Sequence, residues 1–233
     1  MTEDLTLDAK MATYEKNTRI SIPSYDSLFA MIQSYYRVQL GENASLLVIG
    51  AGGGNELSAW APSNPKWTFT GVDPSKEMLK MAKHKAVELG IENRVSLIQG
   101  KIDDLPRQNS KFDAASCILV LHFIDDVQEK LKLLGSIKDN LKSGAPFVLV
   151  SAYGDRDDAE FQDRLNVWKS FFLDAVWESS KVDEMVNGSI MNPMKISIIP
   201  ENQIERLLAE SGFTNITKFY STGLFGGWIC HGD

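Results

Sequence analysis

Cysteine is scarce: Cys117 and Cys230 are the only two in 233 residues, and both lie inside apolar runs. That predicts reduced, buried thiols and excludes a disulfide framework. The three histidines, His84, His122 and His231, are scattered, and no cysteine or histidine has a partner at metal-ligand spacing, so no metal site is predicted. No apolar run approaches the ~20 residues that would span a bilayer, which argues against a membrane partner. Positive charge is also short. Lys and Arg total 24 against 31 Asp and Glu, a net charge of −7, which counts against a broad electrostatic grip on nucleic acid or anionic lipid. The opening residues, MTEDLTLDAK, are polar and acidic and do not read as a signal peptide. The sequence has no internal repeat and no low-complexity segment. With 43% apolar residues, the expectation is a cytoplasmic protein with one sizeable core.

What the sequence does have is a glycine turn. An apolar run, Leu46 to Ile49, ends in Gly50, Ala51, Gly52, Gly53 and Gly54, and a helical pattern opens at Asn55. This predicts a buried strand, a tight turn and a helix start, a combination that lets a ligand approach the backbone closely. A second strand, Trp67 to Val72, ends at Asp73-Pro74. An acidic residue at a second strand tip, some 20 residues past such a turn, can accept both ribose hydroxyls of an adenosine; capping the next helix is the structural alternative.

The remaining chain alternates. Residues 1–24 form a polar, loosely anchored arm by composition, and a helix follows from Tyr25 to about Leu40, closed by Gly41. Tyr25 reads either as a ligand contact or as a packing residue. After a helix ending near Leu89, Val95 to Gln99 is a third strand, followed by Lys101, Ile102, Asp103 and Asp104 where open α/β sheets bind ligands. Phe112 to Val120 is nearly all apolar, as a central parallel strand should be, and leads through His122 and Asp125 into a helix ending near Leu141. Pro146 to Ala152 is the fifth strand. From Tyr153 to Ile199 the chain changes character: an aromatic-rich helix over 158–179, then an irregular, methionine-containing stretch, together a candidate lid or substrate cap. A last helix, Glu201 to Glu210, precedes two strands, Phe213 to Ser221 and Leu224 to His231. The order predicts an α/β protein: a doubly wound parallel sheet with helices on both faces and a terminal hairpin.

Over residues 25–233 the chain resembles the class I S-adenosylmethionine-dependent methyltransferases. LLVIGAGGG is similar to their glycine motif, GVDPS to the ribose motif, LIQGKIDDLP to the adenine motif and FDAASCILVLHFI to the strand after it; LKSGAPFVLV and ESGF resemble the closing elements. The resemblance implies a single Rossmann-like domain with a seven-stranded sheet whose last strand is antiparallel, and S-adenosyl-L-methionine as cofactor. It implies that Gly50, Ala51 and Gly52 lie against the methionine and ribose portions, that Asp73 binds the ribose hydroxyls, and that Pro74 borders the adenosine. Lys101, Ile102 and Asp103 would flank adenine, and Cys117 and Ile118 would present backbone beside the sulfonium.

The implied activity is methyl transfer to a small-molecule acceptor, with His122, Asp125 and Tyr153 as candidate bases if the acceptor must lose a proton. A homodimer through the early helix or the 181–199 stretch is a further expectation. One departure stands out: many members carry an acid two positions before the first glycine, where this chain has Val48. That keeps open a non-catalytic adenosyl-binding protein. A nicotinamide oxidoreductase would also suit the glycines and Asp73, but not the terminal hairpin. RISIPSYDSLFAMI further resembles the opening segment of the carboxy-S-adenosylmethionine synthases of tRNA wobble-uridine modification, which would place Tyr25 at the cofactor. Those enzymes need an arginine where this chain has Leu207, with Arg206 one residue out of register.

Overall fold

Seven strands form one sheet. The computed structural model describes residues 6–106 and 110–233, so the first five residues of the expected arm lie outside it. In chain order the elements are α1 (Leu7–Ser21), α2 (Tyr25–Gln39), β1 (Ser45–Ile49), α3 (Asn55–Trp60), β2 (Thr68–Asp73), α4 (Lys76–Glu88), β3 (Val95–Gln99), β4 (Ala114–Ile118), α5 (Val127–Asn140), β5 (Ala145–Ala152), α6 (Ala159–Asp174), α7 (Ser179–Met185), α8 (Glu201–Glu210), β6 (Phe213–Thr222) and β7 (Phe225–Gly232). The strand order is β3-β2-β1-β4-β5-β7-β6. β1 to β5 pair in parallel, and β7 runs antiparallel to both β5 and β6.

Alternation along the central strands sorts their side chains into two cores. Leu46 and Val48 of β1, with Val148 and Val150 of β5, join the core under α2, α3 and α6; Leu47, Ile49, Phe147 and Leu149 join the one under α5 and α8. α2 is locked to the sheet because its buried Tyr36 hydroxyl donates to Ala115 O at 2.6 Å. The fully buried Trp60 of α3 donates its indole N–H to Phe29 O at 3.1 Å, so α2 and α3 hold each other.

Two segments depart from the sequence pattern. The expected loose arm is a helix over residues 7–21, N-capped by Thr6, although Met11 is its only buried residue. Its position comes from tertiary contacts: the Trp168 indole donates to Ser21 O at 3.0 Å, and Arg19 pairs with Asp26 of α2 at 2.9 Å. The aromatic helix expected over 158–179 ends at Asp174, and part of the stretch expected to be irregular is α7, continued by a π-turn over Val186–Ile190. Among the described residues no helix is long and apolar enough to cross a membrane, and no group of three or more His, Cys, Asp or Glu is placed to hold a metal.

Candidate active site

The carboxyl ends of β1, β2 and β4 meet at the glycine turn. Gly50, Gly52 and Gly54 have φ of 71°, 39° and 73°, values that cost a side-chain-bearing residue energy. At Gly50 a Cβ would also lie 2.2 Å from Val120 Cγ2. Gly52 N donates to Asp73 Oδ2 at 3.0 Å and Ser75 N donates to Oδ1 at 2.8 Å, so the buried Asp73 carboxylate ties the turn to the start of α4. Above it lie two cavities, of about 640 Å³ and about 490 Å³, that share Gly50, Pro74, Val120 and Phe123. Together they offer space for a nucleoside, an amino-acid tail and a further small molecule.

The smaller cavity holds the residues expected at adenine. Lys101, Ile102 and Asp103 line it, and so does Asp125, one of the candidate bases. Ile102 is buried, while Asp103 is an exposed carboxylate paired with Lys132 at 2.9 Å, a contact that keeps its pKa below the usual range.

The larger cavity is bounded by Tyr25, Gly52, Asp73, Ile118, Leu119 and His122 on the sheet side. Leu119 sits at φ 59°, a left-handed conformation costly for a side-chain-bearing residue and found here where the strand meets the cavity. His122 is 4% exposed, and its Nδ1 accepts from Ala152 N at 3.1 Å. That bond places the proton of the neutral ring on Nε2. Burial, with Lys130 nearby, pushes the imidazole down to about 3. As arranged, His122 therefore presents a hydrogen-bond donor to the cavity and not a free base.

The buried Lys130 on α5 fixes the turn that carries His122, donating to Leu121 O at 3.2 Å and to Ile124 O. Burial pushes its ammonium down to about 8.

Other expected residues lie apart from this wall. Tyr153 lines neither cavity. Its hydroxyl is bonded to Ser221 Oγ at 3.0 Å and Lys218 Nζ at 2.9 Å, and its ring packs on Trp228. Its neighbour Ala152 takes the cavity side, so strand alternation turns Tyr153 to the opposite face. Cys117 is fully buried, its thiol pushed up to about 12, and its side chain belongs to the core. Ala51 packs beneath the turn, close against Gly71, and lines neither of the two large cavities.

Two residues for which the sequence carried no expectation also line the larger cavity. Tyr14 of α1 lies on the glycine turn, its Cε1 3.0 Å from where a Cβ on Gly53 would stand. Glu56, buried in the first turn of α3, lines the larger cavity. A Val at position 48 beside a Glu just past the turn was the available signal for the second; nothing local signalled the first. Tyr14, Thr18 and Ser21 make α1 a roof over the cavity. Removing residues 1–21 is expected to raise the dissociation constant for S-adenosylhomocysteine at least tenfold by calorimetry; an unchanged constant would detach α1 from ligand binding.

Sheet order, glycine turn and cavities at the carboxyl ends of the strands define a Rossmann-like methyltransferase fold. Residues 47–147 match the family model described as a methyltransferase domain. The uncharacterized methyltransferase YcgJ of Bacillus subtilis is 34% identical over 123 residues, 52% of this chain and 46% of that protein. Its crystal structure superposes with a TM-score of 0.58 over 82% of this chain and 70% of that one, at 22% identity. An O-methyltransferase family protein from Burkholderia thailandensis gives 0.60 over 97% and 62%, at 16% identity. An O-methyltransferase family 2 protein from Planctomyces limnophilus, solved with apigenin, gives 0.59 over 82% and 50%, at 14% identity. The matched stretches span less than half the length of the curated relatives. The likeness to methyltransferases thus covers less than half of the chain in the family model and 52% of it in YcgJ, while the shared fold extends over most of it.

Proposed function

We propose that this protein transfers a methyl group from S-adenosylmethionine to an oxygen of a small, largely apolar acceptor. The observation that carries this reading is the far end of the larger cavity. Trp168, Phe172, Trp177, Met185, Ile190 and Phe225 line it, beyond the glycine turn and beside His122. Aromatic and aliphatic walls with one fixed polar donor suit a flat ring system bearing a hydroxyl or keto group. The buried glycine turn, Asp73 and the adenine-side cavity fit the cofactor, which when bound supplies an electrophilic methyl on a sulfonium.

The chain's own part is positioning. The cavity wall and the Nε2–H of His122 would orient the acceptor, and α1 would exclude water above it. Holding two reactants in line converts a bimolecular displacement into an intramolecular one, an advantage that reaches effective molarities of ~10⁵ M or more. With Nε2 protonated and Tyr153 outside the cavity, the proton of a hydroxyl acceptor would leave to solvent or to the exposed Asp125 at the rim of the adjoining cavity. A carboxylated cofactor finds less support. Leu207 is buried in the core under α8 and Arg206 is exposed, so α8 brings no cation to the cavity.

The test is to incubate the protein with S-adenosylmethionine and a panel of planar phenols and to follow S-adenosylhomocysteine and methylated product by mass spectrometry. Turnover on one or more phenols is expected. Trp177→Ala should then raise the acceptor KM about tenfold while the S-adenosylhomocysteine dissociation constant stays within about twofold, since Trp177 lines only the acceptor end. No binding of either adenosyl ligand would overturn the assignment.

A further inference from the structure

Glu56 is the ionisable group in this cavity that the reading above leaves without a role. It is 5% exposed on the second residue of α3. Its carboxyl takes a hydrogen bond from its own backbone amide, and no other described residue donates to it. The groups that face it are Tyr14 from α1, Tyr25 and Tyr36 from α2, Asp73 from the end of β2 and Cys117 from β4. None of these is a cation. A buried carboxylate without a positive partner is expensive, and burial with Asp73 close by pushes this carboxyl up to about 8.

The position of Glu56 is informative as well. It borders a small gap beneath the turn together with Val48, Ala51 and Leu57, while its other side lines the cavity with Tyr25 and Asp73. Val48 lies two places before Gly50, where many members of the family that the chain resembles carry an acid. The strand and the helix thus converge on one spot, at the end of the site where the resemblance places the methionine portion, and among the described residues Glu56 is the acid that borders both the gap and the cavity. What the spot lacks is a positive charge, and the amino-acid tail of S-adenosylmethionine carries one.

We propose that Glu56 is the anchor for the ammonium group of the cofactor's methionine portion, a role taken over from position 48. The inference rests on the cofactor reading above. It has a chemical consequence: uptake converts the neutral acid to a carboxylate paired with the ammonium, and one proton goes to solvent. No bond to carbon changes, and charge balances because the incoming cation replaces the departing proton.

The experiment is calorimetric titration of the full chain with S-adenosylhomocysteine at pH 7, in phosphate and in Tris, whose different ionisation enthalpies count the protons released. About 0.9 proton per site is expected, and affinity should tighten roughly tenfold between pH 6 and pH 7. Glu56→Gln should weaken S-adenosylhomocysteine at least tenfold and abolish the proton release, yet bind methylthioadenosine, which lacks the amino-acid group, within about twofold of the wild type. Binding to the wild type without proton release overturns the proposal, as does wild-type affinity in Glu56→Gln. If Glu56→Gln does not fold, the wild-type proton count alone decides. A wild type that binds neither ligand overturns the cofactor reading instead, and the proposal falls with it.

Discussion

Asp73→Ala is expected to weaken S-adenosylhomocysteine binding by about 100- to 1,000-fold, on the order of 3–4 kcal/mol. The carboxylate already accepts from Gly52 N at 3.0 Å and Ser75 N at 2.8 Å. A carboxylate has about four lone-pair positions, so two remain for a pair of ribose hydroxyls. The substitution would remove those two contacts and also release the glycine turn, because Gly52 N would be left without its acceptor. The first loss acts only on the ligand-bound state, and the second loosens the turn with or without ligand. Asp73→Asn keeps one carbonyl acceptor and should fall between, so the two variants compared by calorimetry separate the loss of charge from the loss of the turn. Wild-type affinity in Asp73→Ala would remove this residue from the binding site.

Glu56→Gln is expected to stabilise the ligand-free protein at pH 8. The carboxyl is held at about 8 in the folded chain against an ordinary value of 4.5. Between those values the unfolded chain has lost the proton and the folded chain keeps it, so folding stability falls as pH rises from 4.5 to 8. The full cost at pH 8 is on the order of 4 kcal/mol, and solvent reaching the cavity reduces it. A neutral amide avoids it. The expected result is a melting temperature about 5–10 °C above wild type at pH 8 and close to wild type at pH 5. His122 acts from the other side: its value of about 3 lies below the ordinary 6.5, so its contribution is lost as pH falls from 6.5 toward 3. Equal melting temperatures for Glu56→Gln and wild type at both pH values would show that Glu56 carries no ionisation penalty. Stabilisation at pH 8 combined with weaker cofactor binding would mark a group kept for its ligand at the expense of the fold.

The sheet could be read from sequence because its signals are local. Apolar runs such as Leu46 to Ile49 and Pro146 to Ala152 end at glycines, prolines or acids, and each matched a strand to within about a residue or two. The glycine turn and Asp73 were legible for the same reason, since the chemistry that marks them lies within a few neighbours. α1 was not: it buries a single side chain, so its sequence carries little periodicity, and the contacts that seat it come from residue 26, the glycine turn and residue 168. Tyr153 looked like a site residue because it follows a strand leading to the cavity, but one step along a strand reverses the face. Glu56 was overlooked because an acid in the first turn of a helix already has an ordinary explanation in the helix dipole. Only its burial beside Val48, which needs the folded chain, sets it apart.

The hydrogen bond from the Trp168 indole to Ser21 joins the helix that roofs the glycine turn to the helix that walls the far chamber. A ligand that settles α1 at one end of the cavity therefore also settles α6 at the other. Two occupants that share such a strut do not bind independently: whatever free energy the first contributes to ordering the strut, the second no longer has to supply, and thermodynamic reciprocity makes the benefit equal in both directions. Cooperativity between the two substrates would thus need no moving domain, only one indole nitrogen and the last residue of a polar helix.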